Sequence, residues 1–151
     1  MTPIVEQIYR AGTLPESASS YTRDTIVLGW EDRVQAHGRR LSDGGVEFGT
    51  SLPRGTVLRA DDCFVLDDLR TIVAVVERPE AVFLVTPRTS QEWGLFAYHI
   101  GNRHQPVMIT DEGLVCPDEA GVEQLLQQQH MPHVRALLPF TPASTVAGHQ
   151  H

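Results

Sequence analysis

Near residue 79 the hydrophobic pattern of the chain changes period, and that change sets what it can fold into. Before this point, apolar residues come in short runs broken by turns: TIVLGW (25–30), TVLRA (56–60), CFVL (63–66) and TIVAVVE (71–77). No window there sustains a 3.6-residue apolar period for three turns, so these runs predict strands. Asp43-Gly44-Gly45 separates GRRLS from VEFGTSL, which is a hairpin signal. Leu52-Pro53-Arg54-Gly55 has Pro second and Gly fourth, the type I turn pattern. Residues 1–78 are therefore expected to form a small all-β domain.

After Arg78-Pro79 the elements alternate. AVFLV (81–85) predicts a strand. A helix follows, with Thr89 as its cap and Glu92 three residues on, the capping-box spacing. Trp93, Phe96, Ala97 and Ile100 then fall on one helical face, and Gly101-Asn102 suits a left-handed stop. PVMIT (106–110) and LVC (114–116) flank Asp111-Glu112-Gly113 as a second hairpin. Asp118 is placed to cap a second helix through about His130, and VRALLPF (134–140) is the last strand. The order β-α-β-β-α-β over residues 79–140 is that of a ferredoxin-like unit with two helices on one face of an antiparallel sheet. Residues 141–151 lack apolar periodicity and read as a flexible tail. The fold class is α+β, in two units small enough to need help from each other, a metal or a partner chain.

Charge excludes some functions. Nineteen acidic residues against twelve basic ones give −7, a field that repels nucleic-acid phosphates. No apolar run is long enough for a membrane span, and MTPIVEQIYR has no signal-peptide core. The two cysteines, Cys63 and Cys116, form no CxxC pair and sit among apolar residues, which fits buried strand positions in a reducing cytoplasm. Cys116 is the better of the two as an accessory soft ligand. Asp61-Asp62 and Asp67-Asp68 are paired in sequence, but neighbours on a strand face opposite ways, so they read as solvated turns. No GxSxG, P-loop, GxGxxG or HExxH motif is present. An enzyme is not expected.

Histidine is where the chemistry concentrates. Seven occur, at 37, 99, 104, 130, 133, 149 and 151. His99 and His104 are five apart, about 140° around a helix, so they cannot share one ion while the helix continues. His104 lies beyond the expected stop and should be exposed; His99 reads as a structural histidine inside the helix. His130 and His133 flank a turn. Gly148-His149-Gln150-His151 puts two imidazoles on a loose chain end. Imidazole suits Ni(II), Cu(II) and Zn(II), and ligands on a mobile tail can bind and release an ion. A two-fold dimer would double each ligand. His104, His149 and His151 are thus the candidate metal ligands.

Residues 97–106, Ala-Tyr-His-Ile-Gly-Asn-Arg-His-Gln-Pro, closely resemble the AYHLGNRHxP segment of UreE-type urease accessory proteins. Gly49-Thr50-Ser51-Leu52-Pro53-Arg54-Gly55 is similar to that family's LPRG segment, and Asp67-Asp68 stands where it has an acidic pair. Leu138-Pro139-Phe140-Thr141-Pro142 is similar to its PFxPE segment, with Ala143 in place of Glu. The resemblance implies a cytoplasmic, homodimeric nickel metallochaperone with a protein-binding all-β domain and a ferredoxin-like metal-binding domain. It implies His104 as central ligand, with tail histidines completing the site. It also implies Ni(II) cargo, for which Zn(II) and Cu(II) compete, and delivery to an apo-urease maturation complex with its accessory GTPase. With two tail histidines, one ion per dimer is expected. The alternative is a non-catalytic adaptor whose metal binding is incidental.

Overall fold

A computed structural model describes residues 1–143, whose contacts fall into two compact units, Met1–Arg78 and the stretch from Pro79 onward. The architecture is mixed α+β. In the first unit the strands are β1 (Ile4–Val5), β2 (Thr22–Leu28), β3 (His37–Leu41), β4 (Glu47–Ser51), β5 (Cys63–Leu66) and β6 (Thr71–Glu77), with one short helix, α1 (Trp30–Arg33). They form two three-stranded sheets, ordered β1-β4-β3 and β2-β6-β5. β1 runs parallel to β4 and β2 parallel to β6; the other pairs are antiparallel.

Period-2 alternation builds the core. Ile26 and Leu28, Phe64 and Leu66, and Val73 and Val75 turn the same way from the second sheet and pack with Val5, Phe48 and Leu52. The Phe48 and Phe64 rings meet at 5.1 Å in a tilted arrangement. The opposite face of the second sheet, at Cys63 and Ile72, is covered by Ala18 from a single 3₁₀ turn.

TVLRA is not a strand. Gly55 is left-handed (φ +86°), the Thr56 N–H donates to Pro53 O, and the Leu58 N–H donates to Arg33 O. Leu58 is fully buried, so its apolarity signals a loop pinned into the core. Arg33 is also fully buried, its guanidinium donating to the Leu28 and Leu58 carbonyls. The expected hairpin at Asp43-Gly44-Gly45 is present as β3–β4. Asp24 on β2 organises that turn, accepting from Ser42 Oγ (2.6 Å) and the Gly44 N–H (3.1 Å).

The second unit comprises β7 (Pro79–Val85), α2 (Ser90–Asn102), β8 (Met108–Ile109), β9 (Leu114–Pro117), α3 (Val122–Gln128) and β10 (His133–Pro139). Its sheet is ordered β10-β7-β9-β8, with every neighbouring pair antiparallel. β9 therefore separates the two strands that α2 joins, and β7 separates the two that α3 joins. Phe83, Val85, Leu114 and Cys116 on the sheet pack against Phe96 and Ile100 of α2 and Val122 and Leu126 of α3.

α2 starts as its sequence requires. Thr89 accepts from the Glu92 N–H, while Glu92 reaches back to the Arg88 N–H. α3 starts differently from expectation. It opens at Val122 after the left-handed Gly121 (φ +85°), and the Asp118 carboxylate instead lies 3.7 Å from Arg135 Nε. After β10 the chain crosses the sheet: Phe140 is buried, the Thr141 N–H meets Met108 Sδ, and the Ala143 N–H donates to Val107 O at 2.7 Å. Order thus extends past residue 140, where the tail was expected to begin. Among the described residues no helix is long and apolar enough to cross a membrane.

Candidate metal centre

The end of α2 presents His104. The helix runs through Gly101 and Asn102 rather than stopping on them, and Arg103 closes it. The His104 N–H then donates to Gly101 O (2.9 Å) and the Gln105 N–H to Ile100 O (3.3 Å). This pair of bonds is a Schellman motif, whose left-handed position is normally glycine. Here it is His104, at φ +55°. Histidine tolerates this region better than most residues, at a cost of roughly 1–2 kcal/mol. His104 is exposed, and its imidazole has no hydrogen-bond partner among the described residues.

The other histidines are arranged differently. His99 is half-buried, its ring edge-on to Tyr98 at 5.4 Å. His133 is held on three sides: Nδ1 lies 2.8 Å from Met131 O, Nε2 faces Glu123 at 3.7 Å, and the ring meets Phe83 edge-on at 5.5 Å. Glu123 also accepts from Arg135 Nη2 at 2.9 Å, and Arg135 lies over the Phe83 ring. That cluster ties β10 to α3. His130 is exposed and left-handed (φ +54°), ending α3 as His104 ends α2. His37 opens β3 in the other unit.

The remaining candidates are accounted for by packing. Cys116 is fully buried in the core with Phe83 and Phe96, and burial pushes its thiol pKa up to about 12. Burial raises that of Cys63 as well. Asp62 is not solvated, as a turn residue would be, but buried, paired with Arg10 and accepting from the Arg59 N–H. Asp67 accepts from the Tyr21 hydroxyl.

Among the described residues no three His, Cys, Asp or Glu side chains converge as a metal site. His104 is therefore not part of a three-ligand set among the described residues, and an ion there needs further donors. His149 and His151 lie outside the described residues. Sequence reasoning missed Val107, the residue that fixes where the chain after β10 arrives. It also missed that His104, rather than Gly101 or Asn102, takes the left-handed turn. A signal was available in the His-x-Pro spacing of His104-Gln105-Pro106 and of His130-Met131-Pro132. Proline keeps the residue before it out of the helical region, which leaves the histidine as the stop.

Fold and site define a class: a two-unit α+β protein with a β-sheet first unit and a second unit that displays an exposed imidazole at the exit of α2. Residues 4–77 match the family model for the N-terminal domain of the UreE urease accessory protein, and residues 80–151 match that for its C-terminal domain. The chain belongs to the UreE urease accessory protein family. A relative named urease accessory protein UreE from Albidiferax ferrireducens is 31% identical over 134 residues, covering 84% of this chain and 76% of the relative. One from Nostoc punctiforme is 28% identical, covering 91% of this chain and 93% of the relative. One from Paraburkholderia xenovorans is 34% identical over 84% of this chain, which spans only 57% of that relative's length.

Proposed function

We propose that this protein is a nickel metallochaperone that delivers Ni(II) for assembly of the urease active site. One ion would be held by His104 together with His149 and His151, as carried cargo rather than a resident cofactor. The observation that carries this reading is the bond from the Ala143 N–H to Val107 O. Val107 follows His104 by three residues, a Cα span of at most about 11 Å. His149 follows Ala143 by six, a reach of up to ~20 Å. This anchoring supports the reading, because His104 lies within the length of chain between Ala143 and the tail histidines.

The homodimer is supported by the outer face of α2. Leu95 and Tyr98 are 53% and 63% exposed there. Gly94 and Gly101 flank them, and an added Cβ at either meets nothing within 4 Å among the described residues. A helix-interior glycine costs about 1 kcal/mol relative to alanine. Packing among the described residues gives no reason for these two; close approach of a second α2 does. A two-fold axis there would double His104.

In this reading residues 1–78 form a protein-binding domain and residues 79–140 a ferredoxin-like metal-binding and dimerisation domain. The strand order β10-β7-β9-β8 supports the latter assignment. The partners would be the apo-urease maturation complex and its accessory GTPase in the cytoplasm, and the protein would carry its ion without catalytic turnover. Calorimetric titration of Ni(II) into the full chain, His104→Ala and a variant lacking residues 148–151 tests this. Strong binding in the full chain alone supports it; equal binding by all three would refute it.

A further inference from the structure

The first unit contains a gap that its own chain leaves open. Tyr9 and Cys63 form an antiparallel bridge, with the Tyr9 N–H donating to Cys63 O (3.0 Å) and the Cys63 N–H to Tyr9 O (2.8 Å). Extending that register would set Gln7 opposite Val65 and Val5 opposite Asp67. Instead the chain leaves β5, and Val5 pairs with Thr50 of β4 in the other sheet. The N-terminal segment thus forks between two sheets. All four residues of the unmade pairing, with Tyr9 and Glu6, line a cavity of about 420 Å³ in the fork.

One wall of this cavity is an unpaired strand edge. The Val75 N–H donates to Asp62 O, which fixes the phase of β5. In an antiparallel ladder the backbone groups alternate sides, so Phe64 and Leu66 bond β6 while Cys63 and Val65 face away. Tyr9 takes Cys63. The Val65 N–H and C=O have no partner among the described residues. Such an edge is a template for an added extended segment.

The charge of the cavity selects the segment. Its ionisable carboxyls are Glu6 and Asp67, and no lysine or arginine lines it. Asp67 Oδ1 accepts from Tyr21, leaving Oδ2, and Glu6 is exposed with no partner among the described residues. The nearby Arg70 guanidinium lies over the Tyr21 ring. Ile4, 67% exposed, gives the cavity an apolar rim. We propose that the fork docks a short extended segment of a partner protein that carries an arginine or lysine beside an apolar residue. Its backbone adds to β5 at Val65, its cation sits between Glu6 and Asp67, and its apolar side chain covers Ile4. This rests on the reading of residues 1–78 as a protein-binding domain and is separate from the nickel reading: a failed peptide titration would leave Ni(II) binding at His104 untouched, and loss of Ni(II) binding would leave this site untouched.

The test is titration of the ¹⁵N-labelled full chain with two probe peptides, acetyl-Thr-Val-Arg-Val-Thr-amide and the same peptide with glutamate for arginine. The arginine peptide should shift the Gln7, Val65 and Asp67 amides saturably and slow exchange of the Val65 N–H. The glutamate peptide should bind the unaltered chain about tenfold more weakly, as should the arginine peptide to the E6Q/D67N chain, since each loses charge-assisted hydrogen bonds. In that variant the carboxamide oxygen at position 67 can still accept from Tyr21, and the two-peptide comparison needs no variant. Equal affinity for both peptides, shifts confined to other residues, or no shift would overturn the proposal.

Discussion

His104 and His130 occupy the same position in two successive helix-ending motifs. Each is the left-handed residue of a Schellman turn, at φ +55° and +54°, and each stands two residues before a proline. The His130 N–H bonds Gln127 O and the Met131 N–H bonds Leu126 O, matching the pair at His104. The two crossovers of the second unit thus end alike, which separates what the turn needs from what a metal needs.

Glycine at either position removes left-handed strain. His104→Gly and His130→Gly should each raise stability by about 0.5–1 kcal/mol in urea unfolding, the difference glycine makes at such a turn. Only His104→Gly should abolish nickel binding in equilibrium dialysis. Loss of binding in both would mean that the helix ends, not the imidazole, matter.

The turn between β8 and β9 leaves no room at Gly113. An added Cβ would collide with the Val85 carbonyl oxygen on β7. Gly113→Ala should destabilise the chain by roughly 1–3 kcal/mol in urea unfolding, because backbone on both sides must shift. An unchanged midpoint would show that the turn yields freely.

Removing the α2 cap should cost about 1 kcal/mol. Thr89→Ala frees the Glu92 N–H, while Glu92 keeps its bond to the Arg88 N–H. Thermal unfolding of the variant checks the loss, which should not alter nickel affinity.

The Ser42 hydroxyl, and then the Thr25 N–H, hold the Asp24 carboxyl below the usual carboxylate range. Because the folded value is depressed, the contribution of Asp24 to stability is present at neutral pH and is lost as acid takes the pH down through that value. Ser42→Ala should move the Asp24 titration upward, read by NMR of its carboxyl carbon. An unmoved titration would contradict the assigned cause.

Elements set by local spacing were readable from sequence. The α2 start was encoded in Thr89 and Glu92, and the β3–β4 hairpin in Asp43-Gly44-Gly45. Elements set by distant contacts were not. β1 is two residues long and exists because Val5 meets Thr50, a pairing no local pattern encodes. α1 spans four residues, too few for a periodic signal. TVLRA is apolar because Leu58 is buried, not because it is extended. Asp118 reads as a cap, yet Arg135 on β10 lies beside it. At the candidate site, exposure of His104 was expected and its left-handed backbone was not. His149 and His151 lie outside the described residues, so their part rests on the sequence and on the anchoring of Ala143.

The account turns on two copies of His104 sharing one ion. Native mass spectrometry of the nickel-loaded protein reads this directly. It predicts one nickel per two chains in the unaltered protein, and a dimer without nickel for His104→Ala. One nickel on each separate chain, or a His104→Ala dimer that keeps its ion, would contradict it.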